Sequence, residues 1–103
     1  MKYIHIFDPT ALAEYKDAVE WYAERSYTAA ENFVKEFDQN IKEVCDDPLR
    51  YRNTYKDFRE TSLKKYPYYL VYQIDKTKNQ IIVTSVYHHK RNPKGKFNKL
   101  KKK

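Results

Sequence analysis

Along the first half of the chain the apolar positions change period. From Lys2 to Phe7 they alternate, Tyr3, His5 and Phe7 against Ile4 and Ile6, which is the two-residue period of a strand. Asp8 and Pro9 follow. Asp accepts from the unpaired N–H groups of a helix start, and Pro has no N–H to leave unpaired at the first helical position. Leu12, Tyr15, Val19 and Tyr22 then recur at three and four, with Ala11 and Ala18 a heptad apart, and predict an amphipathic helix to about Arg25. Thr28, with Glu31 three residues on, reads as a capping box for a second helix. Its apolar stripe is Phe33, Phe37, Ile41 and Val44, and Pro48, which lacks an N–H, ends it. Two helices joined by a few residues form an antiparallel hairpin whose stripe needs a sheet to cover it.

The second half returns to the strand period. Phe58 to Lys64 is a weak strand, Tyr68 to Ile74 a strong one, and Gln80 to His88 a third. In the strong strand Tyr68, Leu70, Tyr72 and Ile74 share one face, and Tyr69, Val71 and Gln73 the other. Pro67 marks one connection and Asp75 to Asn79 the next, both short enough for antiparallel neighbours. The predicted order is β-α-α-β-β-β. This is an α+β domain with the helical hairpin on one face of a mostly antiparallel sheet and the opposite face open.

Composition narrows the class. A chain of 103 residues suits one domain. The net charge of +7 fits either an acidic partner, nucleic acid or an acidic protein segment, or plain solubility. A single cysteine, Cys45, excludes an internal disulfide. No apolar run is long enough for a signal peptide or a membrane span, so a cytoplasmic protein without a membrane partner is expected. The paired imidazoles of His88 and His89 lack a third ligand at useful spacing, and neither a metal nor a cofactor is expected.

In this order the segments FRETSLKKYPYYLVYQID and IIVTSVYHHKRNP carry a resemblance. With Tyr68 and Tyr72 in one strand and the His88, Arg91, Pro93 ending, the chain resembles the RelE/ParE superfamily. These are the toxins of bacterial type II toxin–antitoxin pairs, plasmid-stabilisation proteins among them. The resemblance implies a single toxin domain over residues 1–93 and a basic tail over residues 94–103. It also implies a cognate antitoxin, acidic and folding as it binds. Family members act in two ways: ParE-like toxins inhibit DNA gyrase and cut nothing, whereas RelE-like toxins cut messenger RNA on the ribosome without a metal.

The two mechanisms ask for different residues. Metal-free RNA cleavage needs a base, an acid and cations around the phosphate. The positions where RNA-cleaving relatives carry such groups align with Glu60, Ser62, Tyr69, His88 and His89, and the first three are not basic here. Arg59, Lys64, Lys65 and Arg91 stand nearby in sequence as sources of positive charge. Adjacent strand residues face opposite ways, so with Val86 inward His88 faces the helices and His89 the open side. The expected site is therefore His89, Arg59 and Arg91 on the open face, with His88 the alternative imidazole. Each has a structural reading beside it: an imidazole at a strand end, and a solvated arginine that discourages edge pairing. The functional reading is a ParE-like gyrase inhibitor. The alternatives are a ribosome-dependent messenger RNA endonuclease and a decayed toxin that only binds an antitoxin.

Overall fold

The computed structural model describes residues 3–90; Arg91 and the basic tail lie outside the described residues. β1 (Ile4–Phe7) runs directly into α1 (Pro9–Arg25), whose first turn is capped by Asp8: its side chain accepts from Ala11 N–H at 3.0 Å. One residue, Ser26, separates α1 from α2 (Tyr27–Asp46). Its N–H donates to Tyr22 O and closes the first helix, while its Oγ accepts from Ala29 N–H at 3.2 Å and opens the second. The cap is thus Ser26 and not Thr28, which already lies inside the first turn of α2. Thr28 and Glu31 have capping-box spacing, but an N-cap needs extended backbone, and that is found at Ser26 (φ −166°, ψ 122°).

A short 3-10 turn, Pro48–Arg50, leads into β2 (Arg52–Tyr55), β3 (Phe58–Ser62), β4 (Tyr68–Asp75) and β5 (Gln80–His88). The sheet order is β1-β5-β4-β3-β2, with β1 parallel to β5 and the other neighbours antiparallel. The α+β class and the helical hairpin on one face are as the sequence predicts. β2 is an addition, and the order becomes β-α-α-β-β-β-β. Lys56, with φ 50°, makes the tight turn from β2 into β3, and its carbonyl accepts from the Asn53 amide at 2.8 Å.

The main core lies between hairpin and sheet. Phe33, Phe37, Ile41 and Val44 of α2 pack on Tyr68, Leu70 and Tyr72 of β4 and on Ile81, Val83 and Val86 of β5. Burying a large apolar side chain of this kind contributes about 1.5–3 kcal/mol. In α1 the two fully enclosed positions are Ala11 and Ala18, small enough to let the helix close on β5. Val83 and Val86 both face this core although three residues apart. The pairing explains it: Tyr72 lies opposite Val83 but Val71 opposite Ser85, so Thr84 is an extra residue that resets the alternation.

β1 leaves β5 at Val83, where Asp8 N–H makes a last bond of 2.9 Å to Val83 O. Past that point a side chain replaces the neighbouring strand. Glu14 of α1 accepts from Val86 N–H at 2.8 Å and from Ser85 Oγ at 3.0 Å, so β5 keeps these donors satisfied where β1 has left it.

Asn40 interrupts the apolar stripe of α2. It is 8% exposed, and its Oδ1 meets no partner among the described residues. Asn40→Leu is expected to raise stability by about 1 kcal/mol, because an unsatisfied buried carbonyl is replaced by an apolar group of similar size. Urea unfolding measures it. A lower midpoint would mean that water in the adjoining cavity of about 460 Å³, lined by Lys35, Lys64 and Tyr66 among others, already satisfies the amide. No helix among the described residues is long and apolar enough to cross a membrane.

Candidate functional site

The face of the sheet away from the helices is built by residue parity in β3, β4 and β5. Glu60 lies opposite Val71, Ser62 opposite Tyr69, and Tyr69 opposite Tyr87, so these side chains share one face. It is not a bare polar surface. Phe58, Val71 and Tyr87 form a second buried cluster, with Tyr55 and Tyr69 packed against it. A row of rings crosses the strands: Tyr87 to Tyr69 at 5.0 Å between centroids, and Tyr69 to His89 at 4.1 Å with planes 32° apart.

His89 stands at the end of this row. Its main-chain N–H donates to Pro67 O at 2.8 Å, which fixes the residue just past β5, and its Nε2 lies 3.4 Å from Ser62 Oγ. His88 points the other way. Its ring meets Tyr68 edge-on at 5.2 Å and lines a small cavity with Glu14, Asp17 and Ala18 of α1, while its Nδ1 accepts from Lys90 N–H at 3.1 Å. The expected division of the two histidines between faces is what the structure has.

Arg59 is placed differently from the expectation. It lies opposite Tyr72, on the helix-facing side, and is not brought together with His89. Its guanidinium donates to Tyr51 O at 2.6 Å and Leu49 O at 3.3 Å, clasping the chain around the 3-10 turn. Arg91 falls outside the described residues.

Two features of the open face are not visible in the sequence: the burial of Glu60, and its link to Tyr87. Glu60 is only 5% exposed and accepts from Tyr87 Oη at 3.3 Å. Burial pushes the Tyr87 hydroxyl well above the ordinary phenol range, and the charge of Glu60 and its hydrogen bond add to the rise; Arg52 opposes it. Arg52 reaches this neighbourhood because β2 sets it opposite Glu60. Chemically the face offers a held carboxylate, an imidazole beside a hydroxyl, and a stacked aromatic row. Among the described residues no group of three or more His, Cys, Asp or Glu is placed to hold a metal ion.

A family model described as the ParE toxin of the type II toxin–antitoxin system, parDE, matches residues 6–93. The chain belongs to the ParE toxin family. It is therefore a toxin of a type II toxin–antitoxin system. Among solved structures it is similar to the chromosomal ParDE toxin–antitoxin system from P. aeruginosa, with a TM-score of 0.71 at 11% identity over 84% of this chain and 96% of that one. It is similar to the intact E. coli RelBE toxin–antitoxin complex, with a TM-score of 0.60 at 25% identity over 86% of this chain and 99% of that one. It is also similar to the isolated E. coli RelE toxin, with a TM-score of 0.61 at 23% identity over 97% and 96% of the two chains. No curated protein matches the sequence. At 11% and 23% identity the likeness is one of fold, so what this ParE-family toxin acts on has to be argued from its own face.

Proposed function

We propose that this toxin arrests growth in the ParE-like way, by inhibiting DNA gyrase, and leaves messenger RNA uncut. The observation that carries the reading is Glu60. It occupies a strand position where RNA-cleaving relatives resemble one another in carrying a cation, and it is buried and held by Tyr87. A carboxylate fixed there repels a scissile phosphate, and its burial removes it from the reach of a 2′-hydroxyl. Arg59, the other source of charge in that strand, is turned to the opposite face. His89, beside Ser62 and Tyr69, is then a contact residue of a docking surface and not a general acid.

A cognate antitoxin, acidic and ordering as it binds, is the proposed partner. The net charge of +7 favours an acidic segment. The outer groove of the hairpin offers an apolar seat of about 390 Å³ lined by Val19, Ala23, Tyr27, Ala30 and Val34.

A second reading, ribosome-dependent RNA cleavage, draws on the 25% identity to a chain of the E. coli RelBE complex. One experiment separates the two. On expression of the toxin, the DNA-damage response is expected to rise and purified gyrase to lose supercoiling activity, with transcripts intact by primer extension. Codon-phased cuts in translated messages, with supercoiling unaffected, would replace the gyrase reading by the endonuclease one.

A further inference from the structure

The outer edge of β1 takes no part in the surfaces above. In β1 the even residues bond to β5: Ile4 N–H donates to Asn79 O at 3.0 Å, and Asp8 N–H to Val83 O at 2.9 Å. Main-chain groups along a strand alternate in direction, so the N–H and C=O of His5 point away from β5. Natural edge strands are guarded by lysine, proline or a bulge, and β1 contains none of these. Its side chains are open as well: Ile4 is 71% and Ile6 40% exposed, and His5 is exposed between them. β-branched residues suit strand pairing, which makes an unguarded Ile-His-Ile edge unusual on a lone subunit.

The segment Tyr3-Ile4-His5-Ile6-Phe7 has the same side-chain classes read from either end: aromatic, isoleucine, histidine, isoleucine, aromatic. In the sequence it is flanked by opposite charges, Lys2 and Asp8. A partner strand that is a second copy of this one meets that symmetry directly. A two-fold axis through His5 sets His5 against its own copy, Ile4 against Ile6, and Tyr3 against Phe7.

We propose that β1 is a self-association strand: two copies of this chain pair their β1 edges antiparallel about His5 and join two sheets into one. In this register the outward N–H and C=O of His5 exchange both bonds with those of its copy, and Phe7 N–H meets Tyr3 C=O, while Tyr3 N–H stays with Cys45 O at the end of α2 at 3.1 Å. A centre at Ile4 would place a bonded exchange on Tyr3, whose N–H already donates to Cys45 O, and a centre at Ile6 would set Ile4 against Asp8 and lose the match of isoleucine with isoleucine. The isoleucines of both copies then cover one another on the open face. The two-fold axis stands perpendicular to the sheet, so both helix layers stay on the same side. The strand is short, so the interface is small and the dimer concentration-dependent.

Three preparations of the complete chain test this, starting with sedimentation velocity of the unaltered protein over a range of concentrations. Its mass is expected to move from one copy towards two. His5→Pro removes an outward donor while leaving the bonds to β5 in place, and is expected to stay monomeric with a near-native melting curve. His5→Cys is expected to form a disulfide-linked dimer under mild oxidation, since directly opposed residues of a bonded pair lie about 5.5 Å apart and a disulfide spans about 4.4–6.8 Å. Asn53→Cys, on the other edge strand, is the comparison and is expected to stay unlinked. The proposal falls if the unaltered chain is monomeric throughout, the result expected where only a foreign strand takes this edge. It also falls if folded His5→Pro dimerises as the unaltered chain does, or if both cysteines cross-link alike. Should His5→Pro melt early, the cysteine comparison decides.

Discussion

Tyr72→Ala is expected to destabilise the toxin by about 3–5 kcal/mol, the range for deleting a buried aromatic side chain. Tyr72 has no exposed surface and sits at the centre of β4, with Leu70 and Val83 in the same cluster and Tyr51 edge-on to its ring at 6.5 Å. Its hydroxyl donates to Pro48 O at 2.6 Å, so truncation leaves both a void and an unpaired buried carbonyl. A domain of this size has about 5–15 kcal/mol in all, so much of the population unfolds at growth temperature. Tyr72→Phe keeps the ring and strands only the carbonyl, for about 1–2 kcal/mol. Denaturant unfolding of the pair separates the two contributions. Equal losses would show that the hydroxyl bond, and not packing, carries the effect.

Arg59→Ala is expected to cost about 2–3 kcal/mol, since a guanidinium bonded to two main-chain carbonyls is lost at once. Those carbonyls, of Leu49 and Tyr51, belong to the connection that carries the chain from the end of α2 into β2. Arg59→Lys should recover only part of the loss, because Nη1 makes both bonds and a lysine side chain ends one atom short of it. Toxicity should fall only as far as folded protein does. The measurement is growth inhibition set beside thermal unfolding for both variants. Full stability with lost toxicity would return Arg59 to a functional surface.

That expectation reverses what the sequence alone implies for Arg59, and the reason lies in the sheet. Strand parity read from sequence takes the apolar side as the buried side. Here both faces bury apolar groups, because Phe58, Val71 and Tyr87 form their own cluster away from the helices. Parity therefore says which residues share a face with Arg59, but not which face that is. In β5 an apolar run ends in two histidines, and Val86 alone suffices to orient them. β1, α1, α2 and β4 are legible because each holds a clear period over most of its length, and β5 because it is a long run rich in β-branched residues after a turn segment. β2 is not: four residues, RNTY, have no alternation, and the strand exists only because β3 folds back beside it through Lys56. Arg52, carried on β2, is hidden with it. Glu60 is visible as a residue type, but its burial depends on Tyr87, which lies far along the chain and beneath the same face.

The replacement of a missing strand by the Glu14 side chain also bears on how the chain assembles. Its bond to Ser85 spans 71 positions, and β1 finds its strand neighbour only at Gln80–Val83. The helices can form while the chain is being made, but the segment that precedes them has nothing to pair with until β5 emerges. Contacts this distant in sequence close late and slowly. Synthesis therefore holds the toxin in an unfinished state for most of its length, and a chain cut short before Gln80 lacks the strand that joins its two ends.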